Sequence, residues 1–264
     1  MSPRAPRLLQ LRHRLPGRSI NKTAFRLAVL GLALALGLIG WFSLHRPQAP
    51  TKPIGLFTSL PLVWSEEPGI GGELRGDQAP HWAKTALARQ GAVVPLDTLT
   101  PAPRSLSGLS RLVIAQPRAL SPTENVALDA WVRGGGQLLL LADPAWTEES
   151  SYPIGDPRRP QAAAMLSPIL ARWGLQLQFD AAQPLEQHDR KVMGFTIPTV
   201  LAGTFVTRGQ ANCRLWGEGL AVTCAIGKGR VFALADAAVL EREDPDGRRA
   251  RAFENLLDSA FVGN

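Results

Sequence analysis

The chain has 264 residues, 45% of them hydrophobic and 19% charged, enough for one sizeable core with appendages. A formal charge of +7 would suit a nucleic-acid partner if it were spread over the fold. It is not: residues 1–26 hold seven basic side chains (Arg4, Arg7, Arg12, Arg14, Arg18, Lys22, Arg26) and no acid, and the rest balances 22 basic against 22 acidic residues. No nucleic-acid partner is therefore expected.

The basic arm, residues 1–26, precedes an uncharged run at 27–44 (LAVLGLALALGLIGWFSL). Eighteen helical residues span roughly 27 Å, about a bilayer core. Arg26 stands at one edge to snorkel, and Trp41 and Phe42 stand at the other as interfacial aromatics. A cleaved signal peptide is the competing reading, but the following His45-Arg-Pro-Gln-Ala-Pro lacks a small-x-small cleavage site. The expectation is one transmembrane signal-anchor helix in the inner (cytoplasmic) membrane. The basic arm sets its direction, with the N-terminus cytoplasmic and the C-terminal domain periplasmic. Residues 45–52 form a Pro-rich linker, and 53–264 form the periplasmic domain.

In that domain, Ile54–Phe57 reads as a buried strand and is followed by a Gly-rich loop through Gly76. Ala79–Arg89 reads as a helix, and Ala92–Leu96 and Leu112–Ala115 as short strands. Ser121-Pro122-Thr123-Glu124 is a capping box opening a helix that runs to Gly134-Gly135-Gly136. Leu138–Leu141 then suits a strand buried on both faces of a parallel sheet. The order is helix, glycines, strand. A phosphate loop runs strand, glycines, helix, so these glycines are expected to end the helix in left-handed conformations and carry no chemistry.

Further on, Gln161–Trp173 is expected to be a helix and Leu175–Phe179 a strand. Residues 190–226 form a β-rich insertion, with Val192–Ile197, Val200–Val206, Cys213–Trp216 and Leu220–Ile226 as strands. Gly227-Lys-Gly229 is a tight turn, Arg230–Leu234 a strand and Arg248–Phe261 a closing helix. The pattern predicts an α/β fold.

Cys213 and Cys224 are equidistant from Glu218-Gly219, so a two-residue turn there would set them opposite each other in a hairpin. A periplasm-like compartment favours a disulfide, with two buried free thiols as the alternative. The strands ending at Ala115, Ala142 and Ala235 are followed by Gln116, Asp143 and Asp236. These three can share the carboxyl-end rim where open parallel sheets bind ligands, or can cap turns through their side chains. Trp64 and Trp146, in loops after strands, are candidates for a partner or sugar surface, with core burial as the alternative.

Nucleophile elbows and metal motifs are missing. Gly108-Leu-Ser110-Arg-Leu112 fails the last position of Gly-x-Ser-x-Gly, and the four histidines (His13, His45, His81, His188) are not paired at metal-ligand spacing. Asp244-Pro-Asp246-Gly247 reads as a solvated acidic turn. No catalytic residue, metal or cofactor is expected.

The stretch from Leu112 to Pro144 (LVIAQPRALSPTENVALDAWVRGGGQLLLLADP) resembles the periplasmic domain of GldG-like proteins, auxiliary subunits of ABC-type uncharacterised transport systems. The ending Gly227-Lys-Gly-Arg-Val-Phe-Ala-Leu-Ala-Asp236 is similar to the same family. It is similar also to a single-span domain of unknown function found beside MoxR-type ATPases. GldG-like proteins usually carry a second, C-terminal span; none is expected after Phe261, which favours the single-span relative. The resemblance implies a flavodoxin-like, class I glutamine amidotransferase-like sandwich. The nucleophilic cysteine of those enzymes has no counterpart on a strand-to-helix elbow here. The expected function is a non-enzymatic accessory subunit of a membrane complex, with an ABC permease or ATPase, or MoxR-associated proteins, as partners. The alternatives are an unrecognised or degenerate hydrolase and a sugar- or peptidoglycan-binding module using the strand-end rim.

Overall fold

The computed structural model divides the chain into units 1–49 and 50–264, and it describes residues 52–64, 81–100 and 105–261. The arm, the anchor at 27–44, most of the linker and the Gly-rich loop at 65–80 lie outside the described residues. Among those described, no helix is long and apolar enough to cross a membrane.

In chain order the elements are β1 (Ile54–Thr58), α1 (Trp82–Gln90), β2 (Val93–Pro95), β3 (Arg111–Ala115), α2 (Pro122–Arg133) and β4 (Gln137–Leu141). Then follow α3 (Ser167–Arg172), β5 (Leu175–Gln178), β6 (His188–Val192), β7 (Phe195–Thr199), β8 (Thr204–Thr207), β9 (Cys213–Trp216), β10 (Ala221–Ile226), β11 (Gly229–Leu234) and α4 (Arg248–Phe261). The main sheet runs β2-β1-β3-β4-β11-β10-β9, parallel from β2 to β11 and antiparallel in its last two pairings. This is a mixed α/β fold with a mostly parallel sheet.

Side-chain alternation along the strands sends Leu139 and Leu141 to one face and Leu138 and Leu140 to the other. The first face packs on Ala83, Ala86 and Leu87 of α1 and on Phe253, Leu256 and Leu257 of α4, with Val192 and Ile197 of the β6–β7 hairpin. The second packs on Leu128 and Val132 of α2, on Ile169, Leu170 and Trp173, and on Leu175 and Phe205 from the β5–β8 pair. Layers on both sides explain why β3, β4 and β11 are unbroken apolar runs.

The capping box is complete: Ser121 Oγ accepts from the Glu124 N–H, and the Glu124 carboxylate accepts from the Ser121 N–H. The glycines after α2 differ from expectation. Only Gly135 takes a positive φ (120°); Gly134 is right-handed, with φ −73°. At Gly136 the reason is space, because a Cβ would lie 2.4 Å from the Trp131 ring. The same corner receives the β10–β11 turn: Lys228 N–H donates to the Arg133 carbonyl and Arg230 N–H to the Gly136 carbonyl. The two glycine motifs thus close on each other and satisfy the carbonyl end of α2.

Three further expectations are corrected. The helix at 161–173 shrinks to α3, because Pro168 is tolerated only in a first turn and the preceding residues pair with the loop after β4. There Trp146 N–H donates to the Ala162 carbonyl and Ala164 N–H to the Asp143 carbonyl. The expected strand 192–197 is a hairpin turn, with Met193 (φ 50°) and Gly194 (φ 95°) both left-handed, as a two-residue type I′ turn requires. The 190–226 region is not one insertion: β6–β7 and β5–β8 form separate two-stranded sheets, while β9 and β10 extend the main sheet.

Candidate functional site

The parallel strands deliver their carboxyl ends to one rim. At its centre Gln116, Asp143 and Asp236 are buried, at 0%, 1% and 0% exposure. Gln116 sits at φ 41°, a left-handed conformation at the end of β3. Its Oε1 accepts from the Asp143 N–H at 3.0 Å, and its Nε2 donates to the Asp143 and Gln161 carbonyls. Asp143 accepts from the Ala145 N–H at 2.7 Å through Oδ1 and from the Ala237 N–H at 3.1 Å through Oδ2. Asp236 accepts from the Val200 N–H at 3.0 Å and the Ala238 N–H at 2.7 Å. The two carboxyls, on neighbouring strands, also feel each other. Burial pushes Asp143 up to about 6 against the pull of its two backbone N–H donors. Burial and the nearby Asp143 charge push Asp236 well above the ordinary carboxylate range.

The structure therefore brings the three rim candidates together, facing inward. Each carboxylate oxygen is already engaged by a backbone amide. Chemically this is a staple that ties β3, β4 and β11 to the loops that follow them, the turn-capping alternative raised from sequence.

Ligand-sized space lies further along the same rim, over β1. A cleft of about 260 Å³ is lined by Phe57, Thr58 and Ser59 at the end of β1, by Leu96 and Asp97 after β2, by Arg118 after β3, and by Trp64, Arg158 and Gln161. The sheet grows from β1 to β2 on one side and resumes at β3 on the other, so the cleft stands at the reversal point where open α/β sheets bind ligands. Trp64, 43% exposed, is one wall. Trp146 is half-buried against the core and borders a different cleft with Pro61, Glu148 and Arg242. The two tryptophans do not share a surface pocket among those described.

Sequence reasoning missed the polar scaffold of this cleft. Arg118 grips the buried Glu124 in a fork, at 2.9 and 2.7 Å, and lies 5.0 Å over the Phe57 ring. That pairing holds the Glu124 carboxyl far below the usual carboxylate range, against the cost of burial. The signal available was Arg118 itself, a rim position three residues past β3. Nothing in the sequence flags Arg158, which reaches the cleft from the long loop after β4. A second unforeseen group is Asp129, where Arg133, Arg172 and the Trp173 indole converge to hold α2 and α3 together. A third is His81, buried at the start of α1: its Nδ1 accepts from the Ala83 N–H, and its Nε2 donates to the Leu240 carbonyl. Burial and nearby Arg242 bring its pKa down to about 4.

Away from the rim, Cys213 and Cys224 face each other in the β9–β10 ladder and form a disulfide, with Cα atoms 4.1 Å apart. The loop joining the strands has four residues, Gly217 to Leu220, instead of two. That leaves the register unchanged, and the neighbouring Ala225 N–H donates to the Asn212 carbonyl, so the cysteines occupy a non-hydrogen-bonded pair whose side chains lie close. Among the described residues, no three His, Cys, Asp or Glu side chains gather as a metal site.

Among solved structures the chain is similar to exo-beta-1,4-mannosidase Op5Man5 from Opitutaceae bacterium strain TAV5. Identity is 16% and the TM-score 0.48, over 82% of this chain and 36% of that one. It is similar also to a beta-galactosidase from Bacillus circulans sp. alkalophilus (11%, TM-score 0.43, 79% and 31%). A third similarity is to the cytoplasmic protein STM3548 from Salmonella typhimurium (12%, TM-score 0.46, 78% and 97%). The chain spans about a third of the length of the two glycosidases. No curated protein matches it. The sequence pattern of the family described as an ABC-type uncharacterized transport system matches residues 57–191, just over half of the chain, a range that includes Gln116 and Asp143 but not Asp236. The chain belongs to that family of ABC-type uncharacterized transport system proteins.

Proposed function

We propose that the protein is a membrane-anchored accessory subunit of a transport complex, with its α/β domain on the periplasmic side binding a partner such as the permease. The family match carries this reading. The basic arm and uncharged run at 27–44 support the anchor and its direction, and a disulfide fits an oxidising compartment. The 2-1-3-4 strand order supports the finer assignment to flavodoxin-like, glutamine amidotransferase-like folds. The inward, amide-saturated state of Asp143 and Asp236 supports a non-enzymatic domain over a hydrolase. A MoxR-associated assembly is the second partner class, supported by the likeness of the Gly227–Asp236 ending.

Crosslinking in native membranes, gentle extraction and identification of the co-purified proteins test this. Recovery of a permease or ATPase at near-equal amounts is the expected result. Recovery of the chain alone, from membranes in which a known complex survives the same treatment, would sink the proposal.

A further inference from the structure

The cleft over β1 has a charge balance that narrows what it can hold. Arg118 is turned onto Glu124 and onto the Asp97 and Ala119 carbonyls, and Arg158 is paired with Asp156 at 3.0 and 2.8 Å. Both guanidiniums are thus compensated by carboxylates of this chain, and the exposed Asp97 adds one more negative charge. An anion entering here would meet donors already committed and a surplus acid. A cation would meet the Arg118 and Arg158 guanidiniums, the first of them lying over the Phe57 ring, a face a cation would otherwise use. A neutral, hydroxyl-rich ligand avoids both penalties. Its hydroxyls can donate to Asp97 and accept from Gln161 at the edge, while an apolar face lies on Trp64. The floor of Leu56, Phe57, Val63 and Leu96 is apolar, as small-molecule sites are, with few polar groups to set orientation.

We infer that this cleft is a binding site for a neutral saccharide of one or two units, with a sugar ring stacked on the Trp64 indole. The volume of about 260 Å³ sets the length, since it sits just below the usual range of drug-sized pockets, about 300–1,000 Å³. The inference goes beyond the accessory-subunit reading and stands apart from it: a partner can be recovered by crosslinking whether or not the cleft binds sugar.

The test uses the full-length protein, purified in a detergent without sugar headgroups. Saturation-transfer NMR titrations would be run with chitobiose, cellobiose and mannobiose, and with glucuronate and choline as charged probes. At least one neutral disaccharide is expected to bind saturably. Trp64→Ala should weaken it at least about tenfold, or about 1.4 kcal/mol, and Trp146→Phe should leave it unchanged. Trp64 is 43% exposed, so its loss should not unfold the domain. Asp97→Asn, a near-isosteric change at an exposed position, provides a second variant that should weaken the same titration severalfold. The inference is overturned if no neutral disaccharide saturates, if binding survives Trp64→Ala, or if glucuronate or choline binds more tightly than every disaccharide.

Discussion

Burial gives two titrating groups of this domain opposite pH signs. Asp143 has a folded-state pKa near 6 against an ordinary value of 3.8, so between those values the folded protein holds more protons than the unfolded chain. Its contribution to stability is fullest below about pH 4 and is lost as pH rises through about 6. His81 has a folded-state pKa near 4 against 6.5, because burial and the nearby Arg242 charge disfavour the imidazolium. Its contribution is present above about pH 6.5 and is lost as pH falls toward 4. In chemical denaturation from about pH 4 to about pH 7, the stability of the wild type relative to Asp143→Asn is therefore expected to fall with rising pH, while that relative to His81→Asn should rise. Slopes of the same sign would contradict the buried, neutral imidazole or the desolvated carboxyl. Asp236→Asn should cost about 1–3 kcal/mol at pH 5, because the new amide would point an N–H at the Val200 or Ala238 N–H. The rim positions of Gln116, Asp143 and Asp236 were legible as residues that end apolar strands. Their inward orientation was not, because it depends on the Val200 and Ala237 amides, which arrive from other parts of the chain.

Elements with local signals were easiest to read. Ser121-Pro-Thr-Glu124 specifies the start of α2 within four residues, and the i, i+3, i+4 spacing of Phe253, Leu256, Leu257 and Ala260 specifies the buried face of α4. The β6–β7 turn was missed because Met193 occupies a left-handed position usually held by Asn, Asp or Gly. The corner between α2 and β11 makes a sharp test of packing: at Gly229 a Cβ would lie 2.0 Å from the Val132 carbonyl oxygen and 2.4 Å from that of Gly136. Neither backbone can yield without breaking the end of α2, so Gly229→Ala is expected to destabilise by about 2–3 kcal/mol in urea melts. A loss near zero would mean that the two glycine motifs are not in contact. The Cys213–Cys224 bridge, with a sequence separation of 11, should contribute about 3 kcal/mol by restricting the unfolded chain. Thermal unfolding with and without reductant, compared with Cys213→Ser/Cys224→Ser, measures it; identical midpoints would show that β9 is held by its ladder alone.

For the whole molecule, the alternation of strands and helices was enough to specify a mostly parallel sheet covered on both faces. The sequence did not reveal that the antiparallel β9 and β10 join that sheet while β5–β8 and β6–β7 stand apart from it, since short strands of similar composition do not name their partners. The candidate cleft was half legible. Trp64 could be singled out as an aromatic after a strand, whereas Arg158 and Gln161 reach the site from a loop whose path depends on its contacts with Ser59 and Gln116. The central claim is that a periplasmic α/β domain on an N-terminal anchor serves a transport complex through a partner. The most direct measurement is the mass and subunit ratio of the native particle that contains this 28.5 kDa chain after mild extraction from its own membranes. A particle holding the chain in fixed ratio with a permease is the predicted result. A particle containing only this chain, under conditions that keep other transport complexes whole, would contradict the claim.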